Sequence, residues 1–478
     1  LNIMDVSPHR VRHFIEEWPI YARDRDNPNR LPAKQLEELR GRLLVDQLQF
    51  LSEHSPFYRR LFRKERIDPK QVRGLEDLPR LPLTFRRDYL EDPMAFLPTP
   101  PRRRPELATY EITYTAGSQE GEPVPFFNTA YDMMAISLQM RRTAEICWIT
   151  PRDTVFNLFP YSGLPHIGFY RTLHMASSLG AKLVNALLGE DLPGFPLHRP
   201  IDEAVQLAAD SDASVLAGAA SGCRHFVLRA RQLEVQLPRV RVVLALGEAA
   251  PERMREDIRR RLQEGGTGEV FVANGYGFTE CQGAMVECCE FGGCHNPSPD
   301  LYYLEVLDPS SLKPLKEGEL GLLAITHLNR RGTAVLRYVI GDLAALERGP
   351  CPHCGRTGER LLVKVGSTYA TRADEALRIR SKLVNPQVLR NVLDSIGGVL
   401  HYRMELEKER AGDPSSADRV KVVVSADPGM EARIEAEVRE RLLQATGAEV
   451  EVNLADSGTD LYDPSLVLKD TRIVDRRE

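Results

Sequence analysis

The spacing of hydrophobic and polar positions changes character three times along the chain. Over roughly the first hundred residues the pattern is helical and polar, clearest from Leu36 to Glu53, before a proline-punctuated stretch from Pro79 to Pro105 that no single regular element can cross. This part is expected to form an apron around the fold or a lid. From Asp153 the pattern becomes short apolar runs, DTVFNLF, AKLVNA, ASVLAG, VRVVLALG and EVFVANG, separated by helix-length amphipathic segments. That alternation predicts βαβ units and a mostly parallel sheet with helices on both faces. After about residue 370 the period changes again. In HYRMELE, Tyr402, Met404 and Leu406 alternate with Arg403, Glu405 and Glu407, and RVKVVVSA reads as the partner strand. A helix from about Glu431 to Thr446 puts Ile434, Val438 and Leu442 on one face, and AEVEVNL closes the set. The expected fold class is therefore α/β: a large N-terminal domain over 1–370 and a small α+β domain over 371–478, joined near Thr371 to Glu375.

Sheets of this kind bind ligands beyond the carboxyl ends of their strands. Gly247 and Glu248 follow VLAL, and Gly275, Tyr276, Gly277, Thr279 and Glu280 follow VAN, so both groups are expected to line one crevice. A second glycine loop, YTAGSQEGEP from Tyr114 to Pro123, follows a strand-like run. Rich in glycine and hydroxyls, it would let backbone N–H groups approach phosphate oxygens closely. Glu120 and Glu122 in the same loop are unfavourable beside a triphosphate unless they face solvent or a magnesium ion.

Composition narrows the class. With 478 residues, 42% hydrophobic and 27% charged, the chain is an ordinary folded protein rather than a disordered one. A net charge of -5 gives no global attraction to nucleic acid or to an anionic membrane, and the arginine runs at 102–104 and 259–261 read as solvated faces. No apolar run approaches the roughly 20 residues that span a bilayer, and LNIMDVSPHRVRHFIEEW has no secretory pattern, so a cytoplasmic enzyme is expected.

Six of the eight cysteines lie between Cys281 and Cys354, a concentration that in a reducing compartment suggests a metal. CPHCG places Cys351 and Cys354 two residues apart with a glycine for the turn, and ECCEFGGCH offers Cys288 and His295, with Cys289 and Cys294 as substitutes. A tetrahedral Cys3His zinc site follows, and LYYLEVLD and LGLLAITHL between the two halves read as strands of a hairpin-rich subregion.

The order of YTAGSQEGEP, NGYGFTE, LRYVIGD and a near-terminal lysine in LVLKDTRIVDRR resembles the adenylate-forming superfamily of acyl- and aryl-CoA ligases, and within it the phenylacetate-CoA ligase family. The likeness extends over most of the chain, including SEHSPFYRRLFRKERIDPKQVRGLEDLPRLPLTFRRDYLED. It implies a phosphate loop at Thr115, Gly117, Ser118 and Gly121, Tyr276 stacked on adenine, Thr279 on the α-phosphate and Glu280 holding Mg2+. Attack of a carboxylate on the α-phosphorus needs charge neutralised on both anions, which a metal on one hard oxygen ligand supplies. Gly247 and Glu248 resemble the adenine-side loop. Asp342 matches the ribose-binding aspartate, and in TRADEALRIRSKLVNP Arg372 would meet the adenylate phosphate beside a hinge at Asp374. Lys469 corresponds to the catalytic lysine that bridges carboxylate and phosphate. His166, in FPYSGLPHIGF, would border the carboxylate, with Tyr161 and Phe169 as walls for an aromatic substrate.

The sequence departs from the family's usual TSGTTGKP at Ala116, Glu120 and Glu122, and carries Ile340 and Ser381 where threonine and glycine are usual. The implied small domain is mobile and the implied zinc structural. The implied reaction joins a carboxylate and ATP to an acyl-adenylate and then transfers the acyl group to coenzyme A. Two other readings remain: transfer to a carrier-protein thiol or an amine, and a non-catalytic binder of a carboxylate or nucleotide. The sequence does not set the acid or the oligomeric state, for which a homodimer would be unsurprising.

Overall fold

The computed structural model describes residues 27–99, 108–114, 124–161, 167–189, 197–362, 364–365, 368–369, 371–372, 377–380, 382–410, 416–455, 461 and 472–477. Two helices open it, α1 (Ala33–His54) and α2 (Pro56–Lys64). Leu44, Leu48 and Leu51 from α1 and Tyr58 and Phe62 from α2 are buried against Tyr302, Leu304 and Leu323. Apolar residues at i, i+4 and i+7 give α1 one apolar face, and Ser55 caps α2 through the Tyr58 N–H with Pro56 at its first position. In the described residues this region is an apron packed on the fold.

A hairpin of β1 (Thr109–Tyr114) and β2 (Pro125–Thr129) leads into α3 (Ala130–Ile146), whose start is a reciprocal Thr129 and Asp132 cap. The alternating region then folds as β3 (Thr154–Asn157), α4 (Ile167–Leu179), β4 (Lys182–Asn185), α5 (Ile201–Asp210), β5 (Val215–Ala219), α6 (Ala220–Gln232), β6 (Val242–Leu246), α7 (Glu252–Glu264) and β7 (Phe271–Phe278). There follow β8 (Gly283–Glu287), β9 (Cys294–His295), β10 (Tyr302–Leu307), β11 (Gly321–His327), β12 (Tyr338–Glu347) and β13 (Arg360–Leu362).

The strands form one large sheet in the order β10-β11-β12-β13-β9-β8-β7-β6-β5-β3-β4. The expected parallel pairing holds from β4 to β7. Beyond β7 every strand pair of this path is antiparallel, so the sheet is mixed rather than mostly parallel. The reason is connection length: a parallel crossover needs a dozen or more residues, and β7, β8 and β9 are joined by loops too short to provide one.

The small domain comprises α8 (Pro386–Asp394), β14 (Val399–Lys408), β15 (Asp418–Ala426), α9 (Glu431–Thr446), β16 (Glu449–Ala455) and β17 (Ile473–Asp475), with its sheet ordered β16-β15-β14-β17. Tyr402, Met404 and Leu406 face Val424, Val422 and Val420 across β14 and β15, and all six are buried with Ile434, Val438 and Leu442 of α9 in a separate core. Thr371–Arg372 still pairs with β12 of the large sheet. Among the described residues no helix is long and apolar enough to cross a membrane.

Arginines hold the two domains together. Arg224 of α6 donates to the carbonyls of Val399 and Leu400, the latter at 2.9 Å. Arg472 of the small domain lies 2.8 Å from Asp394, 3.5 Å from Glu248 and over the ring of Tyr402. Arg261 reaches Asp427 at 3.2 Å. The run at 259–261 is therefore not simply a solvated face: Arg261 is buried at the contact because i, i+4 spacing aligns it with Asp257 and turns it inward. His225 and His401 meet edge to face in this contact, centroids 5.2 Å apart.

Burial, with His225, Arg224, Arg472 and Arg261 around it, pushes the His401 imidazole down to about 3. An unfolded histidine titrates near 6.5. Below that pH the unfolded chain therefore binds a proton that the folded one refuses, and stability is lost as pH falls from about 6.5 towards 3. Thermal midpoints from pH 7.5 to pH 5 should consequently fall less steeply in His401→Gln than in the parent protein.

Candidate active site

The glycines of NGYGFTE answer to close packing. A Cβ at Gly275 would sit 2.2 Å from Leu246 Cδ2, and one at Gly277 2.7 Å from the Gly283 carbonyl, so β7 can lie against β6 and β8 only without side chains there. Gly247, at the carboxyl end of β6, has φ +75 and open space around it. The next residue, Glu248, accepts the Ser221 hydroxyl at 2.5 Å and faces Arg472.

Tyr276 donates its hydroxyl to the Asp342 carboxylate of β12. Burial, with Asp342 alongside, pushes this phenol well above its ordinary pKa, so it remains the donor. Arg372 is the direct register partner of Asp342 across the antiparallel pair. Three residues taken from separate motifs thus meet at one place. Phe278 packs on Tyr276, ring centroids 5.5 Å apart.

Thr279 and Glu280 lie in a single 3-10 turn, Thr279–Cys281, ended by Gln282 in the left-handed region at φ 54. Both carbonyls of the motif's polar pair are held. Gln282 Nε2 donates to Thr279 O at 2.6 Å, and His327 Nε2 donates to Glu280 O at 2.9 Å. His327 Nδ1 accepts the Val335 N–H at 3.0 Å, which fixes the tautomer. Burial, with Arg330 nearby, holds this imidazole well below its ordinary pKa and neutral. The Glu280 carboxylate accepts the Tyr338 hydroxyl, whose pKa burial and that carboxylate raise.

Tyr161 and Phe169 come together edge to face, centroids 5.3 Å apart, with Tyr170 at 5.6 Å from Phe169. Phe169 is buried, and its carbonyl accepts Asn157 Nδ2 at 3.4 Å. Thr115, Gly117, Ser118, Gly121, His166 and Lys469 lie outside the described residues, as does the Arg372 side chain. Sequence reasoning missed Gln282, His327 and Tyr338. Of these only Tyr338 had a signal, its place in LRYVIGD.

The four residues expected to form a metal knuckle come together. Cys288, His295, Cys351 and Cys354 bring their donor atoms within 4.8 Å of one another. Cys288 and Cys351 sulfurs are 3.8 Å apart, and His295 Nε2 is 3.3 Å from Cys288 and 3.4 Å from Cys354. A tetrahedral ion with metal–sulfur bonds of ≈ 2.3 Å sets its sulfurs ~3.8 Å apart, so the donor set fits a closed four-ligand site. Contact with the Cys288 thiol, then with His295, lowers the pKa of the Cys354 thiol, while the same contact raises that of Cys288. Of the two substitutes, Cys294 instead turns to the Asn274 carbonyl at 3.7 Å. The knuckle is joined to NGYGFTE by register, since His295 pairs with Val286 and Val286 with Gly275. It is joined again by Glu287, which accepts the Asn274 N–H at 2.9 Å and the Arg255 guanidinium at 2.7 Å.

A large mixed α/β domain, a small α+β domain, and a site of tyrosine, aspartate and a Thr-Glu turn beside their contact define an adenylate-forming enzyme fold. No family model matches the sequence. The chain is 29% identical over 425 residues to the phenylacetate-coenzyme A ligase of Thermus thermophilus, covering 88% of this chain and 85% of that one. It is 25% identical over 383 residues to the phenylacetate-coenzyme A ligase of Escherichia coli, covering 78% and 80%. Among solved structures, 2-hydroxyisobutyryl-CoA ligase in its postadenylation state superposes with TM-score 0.77 at 21% identity, over 95% of this chain and 92% of that one. Over most of its length the chain is similar to phenylacetate-CoA ligases, and its fold is that of the adenylate-forming acyl- and aryl-CoA ligases.

Proposed function

We propose that this protein activates a small carboxylate with ATP, forming an acyl-adenylate and pyrophosphate, and then transfers the acyl group to the thiol of coenzyme A. The observation that carries the reading is the meeting of Tyr276, Asp342 and Arg372 beside the Thr279–Glu280 turn. Tyr276 offers a face for adenine, Asp342 accepts from the ribose hydroxyls, and Thr279 contacts the α-phosphate. Magnesium bound through Glu280 would supply charge neutralisation on the phosphates. Lys469 bridges the attacking carboxylate and the α-phosphate, the oxygen of the acid displaces pyrophosphate, and AMP leaves when the coenzyme A thiolate attacks the acyl carbon. Between the two steps the small domain rotates. The Tyr161 and Phe169 pair favours an aromatic acid.

The knuckle is a structural zinc site, since four protein ligands leave no open coordination position for a substrate. Its role is to hold β8, β9 and the Cys351–Cys354 loop in place beside β7.

Glu120 and Glu122 favour a second reading, a binder that holds nucleotide without turnover. Lys469→Ala separates the two. For a ligase, carboxylate-dependent ATP–pyrophosphate exchange should fall about 10²–10³-fold, as when one charge-stabilising donor is removed. For a binder the parent protein itself shows no exchange, and AMP affinity barely moves with the substitution.

A further inference from the structure

Gln282 is fully buried and stands at the centre of a polar cluster that the mechanism above does not use. Its carboxamide oxygen accepts Asn128 Nδ2 at 2.8 Å and Arg171 Nη2 at 2.5 Å, while its Nε2 donates to Thr113 Oγ1 at 3.1 Å and to Thr279 O at 2.6 Å. The orientation of the amide is therefore forced. Its own carbonyl accepts Arg171 Nε at 3.0 Å. Arg171, buried as well, completes its fork on Glu111 of β1 at 3.1 and 2.6 Å and touches His174 Nδ1 at 3.1 Å. Asn128 of β2 also reaches Glu111 at 2.8 Å and accepts from Arg330.

Four segments converge here. They are β1, which runs directly into the glycine loop, β2, which leaves it, α4, which carries Phe169, and the turn that presents Thr279 and Glu280. A glutamine at φ 54 is unfavourable unless its surroundings compel it, and such residues gather at functional sites. A buried ionic cluster is also a costly way to obtain stability, because apolar side chains of the same volume commonly do as well or better.

We infer that Gln282, with Arg171 behind it, is a positioning residue of the adenylation step: it locks the Thr279–Glu280 turn to β1, β2 and α4, so that Thr279 and Glu280 are held in place for the phosphates. The inference rests on the ligase reading given above. A one-ångström displacement between groups that act on the same phosphate can cost on the order of 100-fold in rate.

Two variants test it, Gln282→Gly, whose backbone suits the left-handed turn, and Gln282→Glu, which keeps the acceptor for Arg171 and loses the donor to Thr279. Three readouts are needed: carboxylate-dependent ATP–pyrophosphate exchange, thioester formation from supplied acyl-adenylate and coenzyme A, and the thermal midpoint. Both variants should lose about 100-fold in exchange with a raised KM for ATP, yet lose at least ~10-fold less in thioester formation. The inference is overturned if exchange stays within about two-fold of the parent, or if both half-reactions fall equally with the thermal midpoint. Failure of the ligase reading shows separately, as a parent protein without exchange, and takes this inference with it.

Discussion

Replacing Glu280 by glutamine is expected to reduce carboxylate-dependent ATP–pyrophosphate exchange by about 10²–10³-fold, the size seen when one preorganised charge-stabilising contact is lost. The substitution keeps the shape of the side chain, so its hydrogen bond from Tyr338 can survive and the turn held by Gln282 and His327 should persist. What disappears is the negative charge: the carboxamide keeps one neutral oxygen, a weaker ligand for magnesium than a carboxylate. The loss should therefore be accompanied by a shift of the magnesium dependence to higher concentration, with AMP affinity close to that of the parent. Exchange measured across a magnesium titration checks this. An unchanged dependence would assign Glu280 a purely structural part, holding Tyr338.

The second large effect concerns the knuckle. The purified protein is expected to carry one zinc per chain, and Cys351→Ser to lose it together with stability on the order of 5 kcal/mol, a fraction of the ≈ 10–16 kcal/mol that structural zinc contributes in small domains. Cys288, His295 and Cys351 are buried, so the variant leaves donor groups packed together without the ion that satisfies them. The damage should spread to the active site, because β9 and β8 lie beside β7 and Glu287 holds the Asn274 N–H. Metal analysis together with thermal midpoints, with and without chelator, checks it. Because the ligands bind metal in their deprotonated forms, chelator sensitivity should increase as pH falls.

How much of this was legible in the sequence depended on how local the cause was. The alternation of HYRMELE and the i, i+4 spacing of Ile434, Val438 and Leu442 are backbone periodicities, and both appear with the expected faces buried. The knuckle was legible because chelation restricts ligand type and spacing, which pointed to Cys351 and Cys354 and to Cys288 and His295 with Cys289 and Cys294 as substitutes; the structure brings the first four together. Tyr276 and Asp342 were legible through their motifs, although their mutual hydrogen bond, spanning 66 positions, was not. The parallel pairing read from DTVFNLF to EVFVANG is present, and LYYLEVLD pairs antiparallel with LGLLAITHL; what periodicity did not show is that these hairpin strands continue the same sheet through β8, which makes it mixed. The cluster around Gln282 had no signal at all. Arg171 meets Glu111 across 60 positions and Gln282 across 111, and each alone reads as an ordinary polar residue. His327 was hidden for the same reason, at the end of an apolar strand far from the turn it holds.

The central claim is adenylation of a carboxylate, and ATP–pyrophosphate exchange in the presence of magnesium, across a panel of aromatic, fused-ring and aliphatic acids, tests it most directly. Exchange that depends on one class of acid, greatest for aromatic ones, is the result predicted from the Tyr276–Asp342 pair and the Tyr161–Phe169 wall. No exchange with any acid, from folded protein that retains its zinc, would contradict the claim and leave a nucleotide- or carboxylate-binding protein.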